Sequence, residues 1–213
     1  MKICAIITAG GTSSRFGKSN KLLEKINGKE VIKYTIEAFE KSDVDEIIIC
    51  ANKSIIKDLK NLFLHKIIEG GATRQESVYN GLKAIDCDYV LIHDGARPLI
   101  KPETINEVIE TVKIKKAVSV MTKTTDTIKE VDENGKIIKT LDRSKLYNTQ
   151  TPQAFEYSLI KKVHESLKGQ NYTDDCGMAE ALGYDVYIVN GDYKNIKITT
   201  QNDIEIAKQY LKQ

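Results

Sequence analysis

The chain is short of most features that would signal a special environment. No apolar run approaches the ~20 residues that a membrane-spanning helix needs, so no span is expected. Charges of the two signs nearly cancel: 32 Lys and Arg stand against 30 Asp and Glu, for a formal net charge of +2. The cations are interspersed with acids, which excludes a broad basic face for nucleic acid. Four cysteines, Cys4, Cys50, Cys87 and Cys176, lie far apart, two of them in or beside apolar runs. That spacing suits buried free thiols in a reducing compartment rather than disulfides or a zinc site. Met1-Lys2 leads directly into an apolar run and leaves no room for a signal peptide, so a cytoplasmic protein is expected. With three prolines, no tryptophan, no repeats and no low-complexity segment, nothing reads as a linker. Residues 1–213 are expected to form one domain, and 41% hydrophobic content is enough for a full core. No Ser/His/Asp or Cys/His constellation suggests nucleophilic catalysis. His65, His93 and His164 read as structural or surface residues.

What is present is a regular alternation. Ile3 to Ile7 is a continuous apolar run ended by glycines, the pattern of a buried parallel strand. Further strands are expected at Glu46–Cys50, His65–Ile68, Tyr89–Ile92, Ala117–Val120 and Val186–Val189. Helices are expected at Glu30–Glu40, Lys53–Leu64, Thr73–Ile85, Glu103–Lys113, Glu156–Leu167, Asp174–Leu182 and Asn202–Leu211. Strands alternating with helices imply an α/β fold, Rossmann-like and three-layered, whose mostly parallel sheet carries helices on both faces. Ligands in such folds sit beyond the carboxyl ends of the strands, where Thr8, Gly70 and His93 should converge. Residues 124–150 break the pattern. Thr127 to Leu141 lacks a helical period and contains Asn134-Gly135, a strong hairpin signal. This hairpin is too polar to stand alone in water, and a second subunit is the simplest surface for it to pack on.

The chemistry begins after the first strand, in Thr8-Ala9-Gly10-Gly11-Thr12-Ser13-Ser14-Arg15-Phe16-Gly17-Lys18-Ser19-Asn20-Lys21. Gly10 and Gly11 let the main chain approach a ligand closely. Hydroxyls and the cations Arg15, Lys18 and Lys21 complete a loop suited to several phosphates. The glycines do not have the dinucleotide spacing G-x-G-x-x-G. The P-loop pattern would need a glycine at Thr12, so Gly11 falls one residue early. An ordinary strand-to-helix turn would explain the glycines but not the cations. The second motif is His93-Asp94-Gly95-Ala96-Arg97-Pro98. A carboxylate ending a buried strand needs a cation or a metal nearby, and Asp94 is placed to hold Mg²⁺ against a triphosphate. Arg74 reads as a solvated charge at a helix start, and Arg143 beside Asp142 as a local ion pair. Gln153-Ala154-Phe155 reads as the lead into a helix.

The glycine loop resembles the signature loop of the sugar-phosphate nucleotidyltransferases. Together with H-D-G-A-R-P, Asp126-Thr127, Asp142-Arg143, Gln150-Thr151-Pro152-Gln153, Thr173-Asp174 and Asn195-Ile196-Lys197-Ile198-Thr199, it is similar to the 2-C-methyl-D-erythritol 4-phosphate cytidylyltransferases. The matching motifs run in order along nearly the whole chain. The resemblance implies transfer of CMP from CTP to the sugar-alcohol phosphate, with Mg²⁺ or another divalent cation, in the non-mevalonate route to isoprenoids. It makes Arg15, Lys21 and Lys197 the catalytic cations and Asp94 the metal ligand. Ala9, Gly10, Gly11, Gly71, Ser77 and Gly95 become nucleotide contacts. Arg97, Thr127, Arg143, Thr151 and Thr173 become contacts to the methylerythritol phosphate. It also implies a homodimer joined through the hairpin arm, with Thr127, Arg143 and Thr151 serving the partner's site.

The sequence departs from the family pattern at Ser13, at Asn20 where a proline is usual, and at Ala72 where an acidic residue is common. Two other readings remain: a cytidylyltransferase for ribitol 5-phosphate, whose relatives tend to carry H-D-A-V-R-P, and a catalytically silent nucleotide-binding regulator.

Overall fold

The computed structural model describes residues 1–11, Phe16 and residues 20–212. Arg15, expected to be catalytic, and Lys18 lie outside the described residues.

The first strand, β1 (Ile3–Ala9), is central because its side chains are apolar on both faces. Ile3, Ala5, Ile7 and Ala9 join one core, while Cys4 and Ile6 join the other, as the two-residue period of a strand requires. Two short strands follow, β2 (Lys25–Ile26) and β3 (Lys29–Glu30), then α1 (Val31–Glu40), β4 (Glu46–Ala51), α2 (Ile56–Leu62) and β5 (Lys66–Glu69). Next come α3 (Arg74–Lys83), β6 (Tyr89–Asp94), α4 (Pro102–Lys115) and β7 (Ala117–Lys123). The hairpin β8 (Lys129–Val131) and β9 (Ile137–Thr140) leads to β10 (Tyr147–Glu156), α5 (Tyr157–Ser166), α6 (Asp175–Ala181), β11 (Tyr187–Asn190) and α7 (Gln201–Tyr210).

The main sheet has the order β11-β7-β10-β6-β1-β4-β5. Helices α1, α2, α4 and α7 bury Phe39, Leu59, Ile105 and Ala207 on one face. Helices α3, α5 and α6 bury Leu82, Val163 and Met178 on the other. The expected three layers are present. No helix among the described residues is long and apolar enough to cross a membrane. All four cysteines are free, with Cys4, Cys50 and Cys176 buried.

Strand β10, not expected from the sequence, runs antiparallel between β6 and β7. Gln153-Ala154-Phe155 is therefore central strand, not a helix lead-in. Its polar composition and Pro152 hid it, because proline removes a ladder donor. The register shifts between Thr149 and Gln153, so Pro152 falls where the ladder is interrupted. This interruption frees Gln150 and Thr151 for the site below. A second miss is the Asn27-Gly28 turn between β2 and β3, with φ of 51° and 85°; both residues occupy the left-handed region that such two-residue hairpins require.

Helix α2 is shorter than expected and leaves Leu64 exposed. The polar hairpin forms its own two-stranded sheet, with every residue of both strands exposed. Its turn spans Asp132 to Lys136, and Gly135 takes φ 81°.

Candidate active site

Strands β1 and β6 end side by side, with Thr8 in register with Asp94. The Thr8 hydroxyl donates to the His93 carbonyl at 3.3 Å and lies 3.4 Å from Asp94 Oδ1. Beyond these ends open two clefts. The larger, about 310 Å³, is lined by Ala9, Gly10, Gly11, Lys21, Ala72, Thr73 and Ser77, together with Arg74, Asp94 and Lys197. The smaller, about 240 Å³, is lined by Arg97, Gln150, Thr151, Gln153, Thr173 and Asp174, and again by Arg74, Asp94 and Lys197. The two clefts therefore meet at one carboxylate and two cations.

Asp94 is the electrostatic centre. Its Oδ2 lies 2.8 Å from Lys197 Nζ and 3.6 Å from Arg97 Nε, and its Oδ1 lies 3.5 Å from Arg74 Nε. Burial alone would push its carboxyl upward, but Lys197, then Arg74 and Arg97, hold it well below the usual carboxylate range. It is a permanent anion in a ring of cations. His93 behaves oppositely: burial pushes it down to about 3, so it is neutral at ordinary pH and unsuited to general acid chemistry there. Its ring meets the Thr151 hydroxyl at 3.0 Å. The expectation that His93 is structural holds.

Each side chain reaches the clefts for a local reason. After β5, Gly71 N donates to Ser77 Oγ at 3.0 Å, while Ser77 donates to the Thr73 carbonyl at 2.8 Å. Ser77 thus spends its hydroxyl on the loop it shapes. Gly71 accepts no larger residue, since an added Cβ would lie 2.9 Å from the Glu76 carbonyl carbon. Gly95 serves similarly, its amide donating to the Thr8 carbonyl at 3.0 Å. Neither Gly71 nor Gly95 is among the lining residues, although Ala72 beside Gly71 is. At Asn20, in place of the usual proline, the side chain accepts from Leu22 N at 3.0 Å. That local turn, with Leu22 buried, holds Lys21 at the cleft. Lys197 is fixed by its neighbours: Ile198 N donates to the Ala96 carbonyl at 2.8 Å, and Asn195 Nδ2 donates to the Thr151 carbonyl at 3.1 Å. Arg97 Nη1 donates to the Asn195 carbonyl at 2.8 Å.

Three expectations need correction. Arg74 is not a solvated charge: it lines both clefts, and its Nη1 lies 2.7 Å from the fully buried Asp175. Nothing within a few residues of Arg74 could have revealed a partner 101 positions away. Thr151 lines the smaller cleft of its own chain. Its hydroxyl accepts from Asp94 N of its own chain at 3.1 Å. Arg143 makes no ion pair with Asp142; its Nη1 donates to the Thr125 carbonyl at 2.9 Å, and Asp142 accepts from Ser144. Arg143 and Thr127 are both exposed and line neither cleft.

A glycine-lined crevice at the carboxyl ends of parallel strands, joined to a second crevice by cations around one carboxylate, places the chain among the α/β nucleotidyltransferases. A family model described as 2-C-methyl-D-erythritol 4-phosphate cytidylyltransferase matches residues 3–213. The protein of that description from Caldanaerobacter subterraneus is 41% identical over 226 aligned positions, covering 100% of both chains. That from Clostridium perfringens is 42% identical over 223 positions, covering 99% of each. Among solved structures, the 4-diphosphocytidyl-2C-methyl-D-erythritol synthase of Anaerococcus prevotii superposes with a TM-score of 0.87 at 36% identity, covering 100% of this chain and 96% of its own. The chain belongs to the 2-C-methyl-D-erythritol 4-phosphate cytidylyltransferase family and is a cytidylyltransferase.

Proposed function

We propose that the larger cleft takes CTP and the smaller takes 2-C-methyl-D-erythritol 4-phosphate, and that CMP is transferred where they meet. The observation that carries this reading is the sharing of Arg74, Asp94 and Lys197 by both clefts. The phosphate of the sugar alcohol, whose second pKa is about 6, is its own nucleophile and needs no protein base. It attacks the α-phosphorus of CTP, the new P–O bond forms, and pyrophosphate leaves with the electrons of the broken bond. The difficulty is anion approaching anion, so cations fixed in advance supply the catalysis. Lys197 stands at the junction. Lys21 serves the triphosphate, a role assigned to Arg15 as well. Main-chain groups at Ala9 to Gly11 and around Gly71 face the cytidine.

Arg97, Thr151 and Thr173 bind the sugar phosphate within the same chain. Thr127 and Arg143 reach it only across a dimer formed through the exposed hairpin. A single ionised carboxylate fits Mg²⁺, which takes one or two protein carboxylates and fills its shell with phosphate oxygens and water. Asp94 Oδ1, whose protein neighbours stand at 3.4 and 3.5 Å, is the atom that would hold the ion. When bound, the ion offsets triphosphate charge. Pyrophosphate release from CTP tests the reading: it should require 2-C-methyl-D-erythritol 4-phosphate and be far slower with ribitol 5-phosphate. Equal rates with both would overturn the substrate assignment, and CTP binding without release would make the protein a regulator.

A further inference from the structure

Arg74 occupies the first position of α3, the positive end of a helix and a poor place for a cation. It is nevertheless held there by a buried chain of groups that the reaction itself does not use. Arg74 Nη1 lies 2.7 Å from Asp175 Oδ2, and the other oxygen of Asp175 lies 3.0 Å from His164 Nε2. The Asp175 and His164 side chains are wholly buried. The Asp175 amide donates to Gln153 Oε1 at 3.0 Å, which ties α6 to the central strand β10. Among the described residues His164 Nδ1 has no hydrogen-bond partner. An ionised carboxylate only accepts, so Nε2 carries the proton that it donates to Asp175. The Tyr79 ring lies parallel to the imidazole, with centroids 6.3 Å apart.

We propose that Asp175, backed by His164, is a positioning residue for the transfer: it fixes Arg74 so that the guanidinium points at the junction of the two clefts. This rests on the reading of those clefts given above. An arginine side chain has many rotamers to lose, and the bond to Asp175 removes that freedom before any ligand arrives. The Nε edge is thereby held 3.5 Å from Asp94 Oδ1, at the junction that both clefts share. Burying an ion pair is costly and contributes little to stability by itself, so its position beside the clefts has a functional rationale.

The test is a double-mutant cycle of Asp175→Asn and Arg74→Gln, read by steady-state pyrophosphate release and by NMR exchange of the Arg74 Nε–H in the ligand-free protein. Asp175→Asn should lower kcat by about 10–100-fold, as expected for a misplaced group, with KM for CTP nearly unchanged. In the Arg74→Gln background the same change should cost less than about twofold, because its effect passes through Arg74. Exchange of the Arg74 Nε–H should accelerate at least about tenfold in Asp175→Asn, a readout that needs no substrate. If Asp175→Asn does not fold, His164→Gln enters the same cycle and must show the same dependence on Arg74. Equal fold-losses in both backgrounds, or unchanged exchange, would overturn the proposal. A wild-type enzyme inactive on these substrates would overturn only the substrate reading, and the exchange measurement would still decide the role of Asp175.

Discussion

Mixing two inactive variants tests whether the hairpin completes a neighbour's site. Arg143 is exposed, donates to the Thr125 carbonyl of its own arm, and lines neither cleft. The arm that carries it exposes Ile128, Val131, Ile137 and Ile138 at 37, 52, 57 and 57%. Lys197, by contrast, stands in the cleft of its own chain, 2.8 Å from Asp94. Arg143→Ala and Lys197→Ala should each be nearly inactive as homodimers. After equal mixing and free exchange, half of the dimers are hybrids. In each hybrid one site carries both lesions, while the other draws an intact Lys197 from one chain and an intact Arg143 from its partner. Half of the dimers, each with one working site in two, gives roughly a quarter of wild-type activity. The assay is pyrophosphate release from CTP, with hybrid formation checked by native mass spectrometry. Abundant hybrids with no recovered activity would refute the arm's service in trans.

Four further outcomes are expected. Lys197→Ala should lower kcat by roughly 10²–10³-fold, as for other preorganised charges; a raised KM with normal kcat would mean uniform binding instead. ATP and GTP should support far slower turnover than CTP, because main-chain groups lining the larger cleft would be left unpaired by a purine; competition kinetics decides this. Gly81→Ala, usually helpful in a helix, should here destabilise by about 1–3 kcal/mol in urea titration, since the added Cβ would lie 2.9 Å from both Cys50 Sγ and Ile6 side-chain carbons. Burial opposes ionisation of Asp175, yet Arg74 and then His164 hold its carboxyl below the ordinary 3.8. Its stabilising contribution is thus complete above about pH 4 and is lost as pH falls through the lowered value. Wild type should therefore lose more stability than Asp175→Asn between about pH 5 and pH 3; parallel losses would contradict this.

Much of the molecule was legible along the chain, because the signals are local. The apolar run at Ile3 to Ile7 and its terminal glycines specify a buried strand feeding a ligand loop, since continuous apolarity and freedom at φ act over a few residues. H-D-G-A-R-P put Asp94 at a strand end, where a carboxylate must meet a cation. Asn134-Gly135 marked the hairpin. By contrast, β10 was hidden because its ten residues have neither apolar alternation nor a continuous apolar run. What makes it a central strand is pairing with β6 and β7 on either side, and that pairing leaves no local mark.

The site divides along the same line. The sequence by itself determined which residue types gather at the strand ends and that they suit phosphates. Only the tertiary structure decided their partners: Arg97 with the main chain 98 positions away, Arg74 with Asp175 across 101, and Thr151 with Asp94 across 57. Dihedral preferences and periodicity act between near neighbours. An ion pair depends on distance in space and on the water it excludes, and folding alone sets both.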